Sequence, residues 1–269
     1  MNKHIKINFF RNFFFLFKIH HWIKNLSILL PVFAAKSLNI SDINHYILHF
    51  IIFSITSSIV YLFNNIYDYE KDLLNKKLNY SINISKKYYY YIFGIIIFFF
   101  LLFFLSYSNS KILLIISGYI GLSITYNLFL KRIKYVDILS ITTFHLIRIY
   151  YGSVVFEIEI TSYFFIFCLS VFSMIGSNKR LYEIDHNFTN RPYNQLDTNF
   201  LKILQLLFGL ISVITFFLYI SDPSNNDVSR NIYLSILNLF LLIFIIINFL
   251  YLQKDKKQDV VILDRKSVV

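Results

Sequence analysis

Long apolar runs broken by short polar clusters set the pattern of this chain, and the runs share a characteristic length. They fall near residues 22–37, 45–64, 88–107, 111–130, 137–156, 161–178, 199–220 and 231–252, most of them 18 to 22 residues long. A helix of that length covers the roughly 30 Å of a bilayer's hydrocarbon core. The pattern therefore predicts an all-α, multi-pass transmembrane helical bundle with eight spans. The first span is the weakest, because Trp22, Lys24 and Asn25 interrupt its opening. A basic arm over residues 1–20, with a short interfacial helix at 8–18, is expected before the spans, and a tail over 253–269 after them. A single integral-membrane domain, 1–269, is the expected organisation.

Composition supports the bilayer reading. With 57% hydrophobic residues, 15% charged residues, six Gly and three Pro, the chain is too apolar and too poor in helix breakers for an ordinary soluble domain. The heavy use of Asn, Ile, Lys, Phe and Tyr reflects an AT-rich coding bias, so the Phe and Tyr runs carry no ligand signal of their own. The one cysteine, Cys168, lies in an apolar run without a base partner and reads as a small core residue rather than a nucleophile. Arg11, Lys18 and Lys24 interrupt the Phe-rich start, so no clean secretory signal is present and the N-terminus is expected to be retained.

Charge then orients the bundle. All but four of the 26 Lys and Arg fall in the arm and the start of span one, around 71–87, at 131–134, at 179–202 and after 252. The exceptions are Lys36, Lys111 and Arg230 in the opposite loops and Arg148 within a span. By the positive-inside rule both termini face the cytoplasm, in the cell (inner) membrane. The net charge of +11 thus has a topological origin, and no soluble part is left to hold nucleic acid. Asp68, Glu70, Asp72, Asp137, Glu183 and Asp185 lie on the same positive side, where anions need a reason. Glu157, Glu159, Asp222 and Asp227 lie opposite and read as solvated loop charges.

The stretch FNNIYDYEKD, residues 63–72, supplies a candidate reason. In a continuous helix Asn64, Asp68 and Asp72 recur every four residues, which stacks three oxygen-bearing side chains on one face about 5–6 Å apart. Carboxylates so close repel unless a divalent ion neutralises them. Mg²⁺ suits that set, because it takes a few carboxylate oxygens and completes its shell with water and substrate phosphate. A diphosphate donor is the natural third party. The same residues taken alone also suit a plain polar helix end at a membrane surface.

Three further clusters share that side: HHWIKN (20–25), YNLFLKRIKYVD (126–137) and SNKRLYEID (177–185). Lys24, Lys131, Lys179 and Arg180 offer donors for phosphate oxygens, although single charges at helix ends also serve as membrane anchors. Arg148 lies eleven residues beyond Asp137, about 20° off the same helical face and roughly 16 Å deeper. An unpaired arginine there costs about 2.5–3.5 kcal/mol or more, so it meets either an internal ion pair or a substrate in a polar cavity. His145 reads as a hydrogen-bonded interior histidine.

Together these motifs resemble the UbiA superfamily of intramembrane prenyltransferases, and within it the polyprenyl-phosphate phosphoribosyltransferases. The family's NDxxDxxxD element is met by Asn64, Asp68 and Asp72, with Asn65 in place of an acid. The branch's RPxQWxKN opening is met by Trp22, Lys24 and Asn25 but lacks the Arg-Pro. Tyr126 and Lys131 match a tyrosine-to-lysine element, while Asp137, Arg148 and Gly152 match the fifth span. Lys179, Arg180 and Glu183 match a KRxxE-like element, and the tail ends in VVILDR (260–265). The family is usually described with nine spans.

The resemblance implies a Mg²⁺-dependent transferase acting on a polyprenyl lipid in the bilayer. Asn64, Asp68 and Asp72 would hold the ion, with Asp68, Asp72 and Lys131 serving catalysis. Lys24, Asn64, Asn65, Tyr126, Asp137, Arg148, Lys179, Arg180 and Glu183 would contact substrate. The leading expectation is transfer of a 5-phosphoribosyl group from phosphoribosyl diphosphate to a polyprenyl phosphate, because ordinary members of the fold carry a second aspartate-rich motif where SNKRLYEID stands. The alternative is prenyl transfer from a polyprenyl diphosphate, with Glu183 and Asp185 serving a second Mg²⁺. A lipid transporter without chemistry fits poorly, because the ionisable residues cluster on one side instead of lining a path.

Overall fold

The structure is a computed structural model that describes residues 17–35, 37, 39–74, 90, 93, 94, 97, 109–185 and 192–221, and over 68–74 the backbone alone. Among these residues there are helices and no strand. Five helical stretches are long and apolar enough to cross a membrane: Ile40–Tyr67, Ser110–Leu128, Val136–Val155, Ser162–Asp185 and Gln195–Ser221. Their α-helical parts are α1 (Ile43–Leu74), α2 (Ser110–Leu128), α3 (Val136–Val155), α4 (Ser162–Asp185) and α5 (Thr198–Ser221). The chain is an all-helical, multi-pass integral membrane protein. The expected spans at 45–64, 111–130, 137–156, 161–178 and 199–220 all fall on these helices. Of the interfacial helix expected at 8–18 only residues 17 and 18 are described, and they form a turn with Lys18 in the left-handed region; the span at 231–252, the tail, and all of 88–107 except residues 90, 93, 94 and 97 lie outside the described residues.

The expected span at 22–37 takes a different form. Ile19–Leu29 is a 3₁₀ helix of 11 residues, followed by the α turn Leu30–Ala34 with Pro31 near its start. Runs of 3₁₀ longer than three or four residues are uncommon, so a tertiary cause is required. With three residues per turn, positions i and i+3 eclipse, and Trp22, Asn25, Ile28 and Pro31 share one edge. Asn25, Ile28 and Pro31 on that edge are buried. Trp22 Nε1 donates to Ser58 Oγ at 2.9 Å, and Asn25 Nδ2 donates to Ser54 Oγ at 3.0 Å and Ser57 Oγ at 3.1 Å. An α-helix would turn each successive member of that edge about 60° away. Hydrogen bonds to α1 therefore outweigh the local preference for α.

The described residues form two compact units. The first takes those up to Asn127 together with Tyr151–Ile158, and holds the 3₁₀ segment, α1, α2 and the last turn of α3. There the 3₁₀ segment and α3 approach so closely that a β-carbon at Gly152 would overlap the Ile28 carbonyl oxygen. His49 Nδ1 meets the Tyr151 hydroxyl at 2.9 Å beside Phe53, whose ring lies 5.0 Å from that of Tyr151.

The second unit takes Leu128–Tyr150 and the described residues from Glu159 onward. Gly176 of α4 packs on Ile138 of α3, and Thr142 shares a hydrogen bond with Ser173 at 3.2 Å, which fixes the two helices antiparallel. α4 and α5 are antiparallel too: Leu181 and Ile184 cluster with Leu201 at one end, while Phe164 meets Tyr219 at the other. Small and hydroxylated residues line the buried side of α4, including Ser170, Ser173, Gly176 and Ser177, which suits close packing where lipid supplies no hydrophobic drive. His145 lies face to face on Phe172, with ring centroids 4.2 Å apart.

Candidate active site

α1 runs for 32 residues without a break, which makes it about 48 Å long, more than a hydrocarbon core requires. Its excess carries the acidic stretch. Because the backbone stays α-helical to Leu74, positions 64, 68 and 72 fall on successive turns of one face, as the four-residue spacing requires. Asn64 Oδ1 is buried and has no hydrogen-bond partner among the described residues. A buried carbonyl oxygen left without a donor is costly, and a cation offsets that cost. The hard oxygen donors offered at 64, 68 and 72 suit Mg²⁺. Asn65 is half-buried one position along. In the same unit Lys24 is exposed and Tyr126 half-buried.

In the second unit, Asp137 lies in the first turn of α3, where its charge complements the positive end of the helix dipole. Arg180 of α4 reaches it in a bidentate pair, with Nε 2.5 Å from Asp137 Oδ2 and Nη2 3.1 Å from Oδ1. Arg180 Nη1 pairs with Glu183 Oε2 one turn along α4. All three guanidinium nitrogens thus meet carboxylates, and the Asp137 and Arg180 side chains are fully buried. The resemblance implied substrate contact for these three residues; in the structure they pair with one another. Lys179, adjacent in sequence, is exposed.

Lys131 sits in the 3₁₀ turn Leu130–Arg132, half-exposed. Two contacts pin the connection that carries it. Lys134 Nζ pairs with Asp197 at 2.8 Å, and the Tyr135 backbone N–H donates to the Tyr193 hydroxyl at 2.8 Å. Burial pushes the Tyr193 phenol up to about 12, which keeps that acceptor neutral. Arg148 is 4% exposed and donates from Nη1 to the Phe144 carbonyl of its own helix at 2.8 Å. Among the described residues no three of His, Cys, Asp and Glu gather as a metal-binding group, and the side chains of Asp68 and Asp72 are outside that description.

The model of the UbiA prenyltransferase family matches residues 25–181. The chain belongs to this family. The UbiA match opens at Asn25, the residue that ties the 3₁₀ segment to α1, and closes just beyond Arg180. It takes in the face of Asn64, Asp68 and Asp72, the Lys131 turn and the Asp137–Arg180 pair. The chain is also similar to "Uncharacterized protein y4nM" of Sinorhizobium fredii (strain NBRC 101917 / NGR234), 24% identical over 184 residues, which cover 65% of this chain and 34% of that protein. The match thus spans about a third of that relative's length.

Several residues that hold the candidate residues of each unit in place were not singled out in the sequence. Ser54, Ser57 and Ser58 receive the 3₁₀ segment, and Lys134 with Asp197 anchors the Lys131 turn. The three-residue period of Trp22, Asn25, Ile28 and Pro31 was the available signal for the first group. Nothing local marks Lys134 as different from its neighbours.

Proposed function

We propose that this UbiA-family chain transfers a 5-phosphoribosyl group from phosphoribosyl diphosphate to the phosphate of a polyprenyl phosphate, using Mg²⁺ at Asn64, Asp68 and Asp72. The observation that carries this reading is the pairing of Arg180 with Asp137 and Glu183. A two-ion prenyl transfer would need Glu183 beside Asp185 as a metal ligand. A carboxylate already neutralised by a guanidinium is a poor one, so the α4 element favours a donor that needs only the ion on α1.

Bound there, Mg²⁺ supplies stabilisation of the charge that builds on the departing pyrophosphate. The buried Asn64 carbonyl oxygen, without a partner among the described residues, would help to hold that ion. Lys131 and Lys179 act as cationic partners for donor phosphates. Lys24 and Arg148 serve substrate contact, and Arg180 holds Asp137 and Glu183 in place instead of gripping phosphate itself. The acceptor phosphate is already anionic at neutral pH, so the chain needs no general base. By the charge pattern the reaction face and both termini are cytoplasmic.

The test is formation of lipid-linked phosphoribose by the purified chain with Mg²⁺. Wild type forms it, and Asp68→Ala and Asp72→Ala each lose at least about a hundredfold in rate. Undiminished turnover in both variants would end the proposal.

A further inference from the structure

The 3₁₀ register that builds the Trp22–Asn25–Ile28 edge also builds an adjoining one. Three residues per turn place His21 and Lys24 one above the other, about 6 Å apart along the axis. Lys18, just before the segment, has φ 46° and ψ 46°, a left-handed conformation that lysine rarely adopts. Its carbonyl accepts the first hydrogen bond of the segment, from His21 N–H at 2.7 Å. That turn carries the Lys18 ammonium over the ring of Tyr61, 5.3 Å from its centroid. The His21 ring lies 5.2 Å from the same tyrosine, and His20 stands 4.2 Å from His21. Lys18 and His21 therefore both lie over one residue of α1, with His20 against His21, and Lys24 continues the edge of His21.

A phosphate seated among them would meet several N–H donors at once, those of lysine charge-assisted. Tyr61 precedes Asp68 by seven residues, nearly the same face of α1 and about 10 Å nearer its apolar end. The order matters for a lipid. A polyprenyl chain must leave its phosphate into the apolar part of the bundle, so the acceptor phosphate belongs on the membrane side of the ion that holds the donor. We infer that Lys18, His20, His21 and Lys24, over Tyr61, form a station for the phosphate monoester of the acceptor lipid. This rests on the phosphoribosyl-transfer reading for the identity of the acceptor, and it adds Lys18, His20, His21 and Tyr61 to the residues implied by the family motifs.

The chain's only tryptophan, Trp22, lies within this segment and reports on it. Purified full-length chain without donor is titrated with farnesyl phosphate, farnesol or inorganic pyrophosphate with Mg²⁺, following Trp22 emission, and the KM for each substrate is then measured in turnover. Lys18→Met and His21→Gln should each weaken farnesyl phosphate about tenfold, the loss expected for one charge-assisted contact, and leave pyrophosphate unchanged. The melting temperature of each variant checks its fold. Wild-type affinity for farnesyl phosphate in both variants overturns the station, and so does an equal loss for pyrophosphate. If the selective loss is seen but no lipid-linked phosphoribose forms, the station stands and the reaction falls. If phosphoribose is transferred with an unchanged lipid KM in both variants, the reaction stands and the station falls.

Discussion

Arg180 and Asp137 meet across α3 and α4 with Nε 2.5 Å from Oδ2, and neither side chain has any solvent exposure. Removing Arg180 strands the buried Asp137 carboxylate and takes the cation from Glu183 as well, which costs about 3–5 kcal/mol, whereas replacing Asp137 and Arg180 together by apolar residues of similar volume leaves no fully buried lone charge and costs less. Arg180→Met should therefore lower the thermal midpoint more than the double change Asp137→Leu with Arg180→Met. Midpoints of detergent-solubilised protein would show it. A double variant less stable than either single one would mean that the pair contributes net stability.

Gly152 is held by contact with the main chain. An alanine there would drive its β-carbon into the Ile28 carbonyl oxygen, a main-chain atom that cannot rotate out of the way. Gly152→Ala should cost about 1–3 kcal/mol and displace the 3₁₀ segment. Both effects are measurable, as a lower midpoint and as a shift in Trp22 emission. An unchanged spectrum would contradict the close approach.

Asn25 donates to two serine hydroxyls inside the same unit. Asn25→Ala should cost about 1–3 kcal/mol and leave both hydroxyls short of a donor. Amide exchange across residues 19–29 should accelerate, because the tertiary bonds that select 3₁₀ over α are gone. Exchange as slow as in wild type would show that the segment holds its own conformation.

Asn65 stands where the family motif has an acid. Asn65→Asp adds one carboxylate beside the proposed ion site, and charge count tunes divalent affinity. The Mg²⁺ concentration for half-maximal turnover should fall about tenfold, read from a titration at saturating donor. No change would place Asn65 outside the ligand shell.

What the sequence disclosed and what it hid follow from the range of the interactions. Span length is local, so the five crossing helices were expected within a few residues, except where α1 and α4 run on past the apolar limit into their charged ends. The helical spacing of Asn64, Asp68 and Asp72 was legible for the same reason, since it needs only that α1 continue. Span one failed because its geometry is decided by partners about thirty residues away: the serines of α1 select a three-residue period that hydropathy cannot register. Arg180 was visible as a cation, but its commitment to Asp137 depends on α3 and α4 lying antiparallel, which no local pattern encodes. A buried charge and a phosphate-binding charge look alike until the partner is seen.

The most direct measurement offers the purified chain a polyprenyl phosphate acceptor and Mg²⁺ with labelled phosphoribosyl diphosphate, and in a parallel reaction a small aromatic acceptor with labelled polyprenyl diphosphate. The account expects label to enter the lipid only from phosphoribosyl diphosphate, with pyrophosphate released in equal amount. Consumption of the polyprenyl diphosphate alone would contradict it and return the chain to ordinary prenyl transfer.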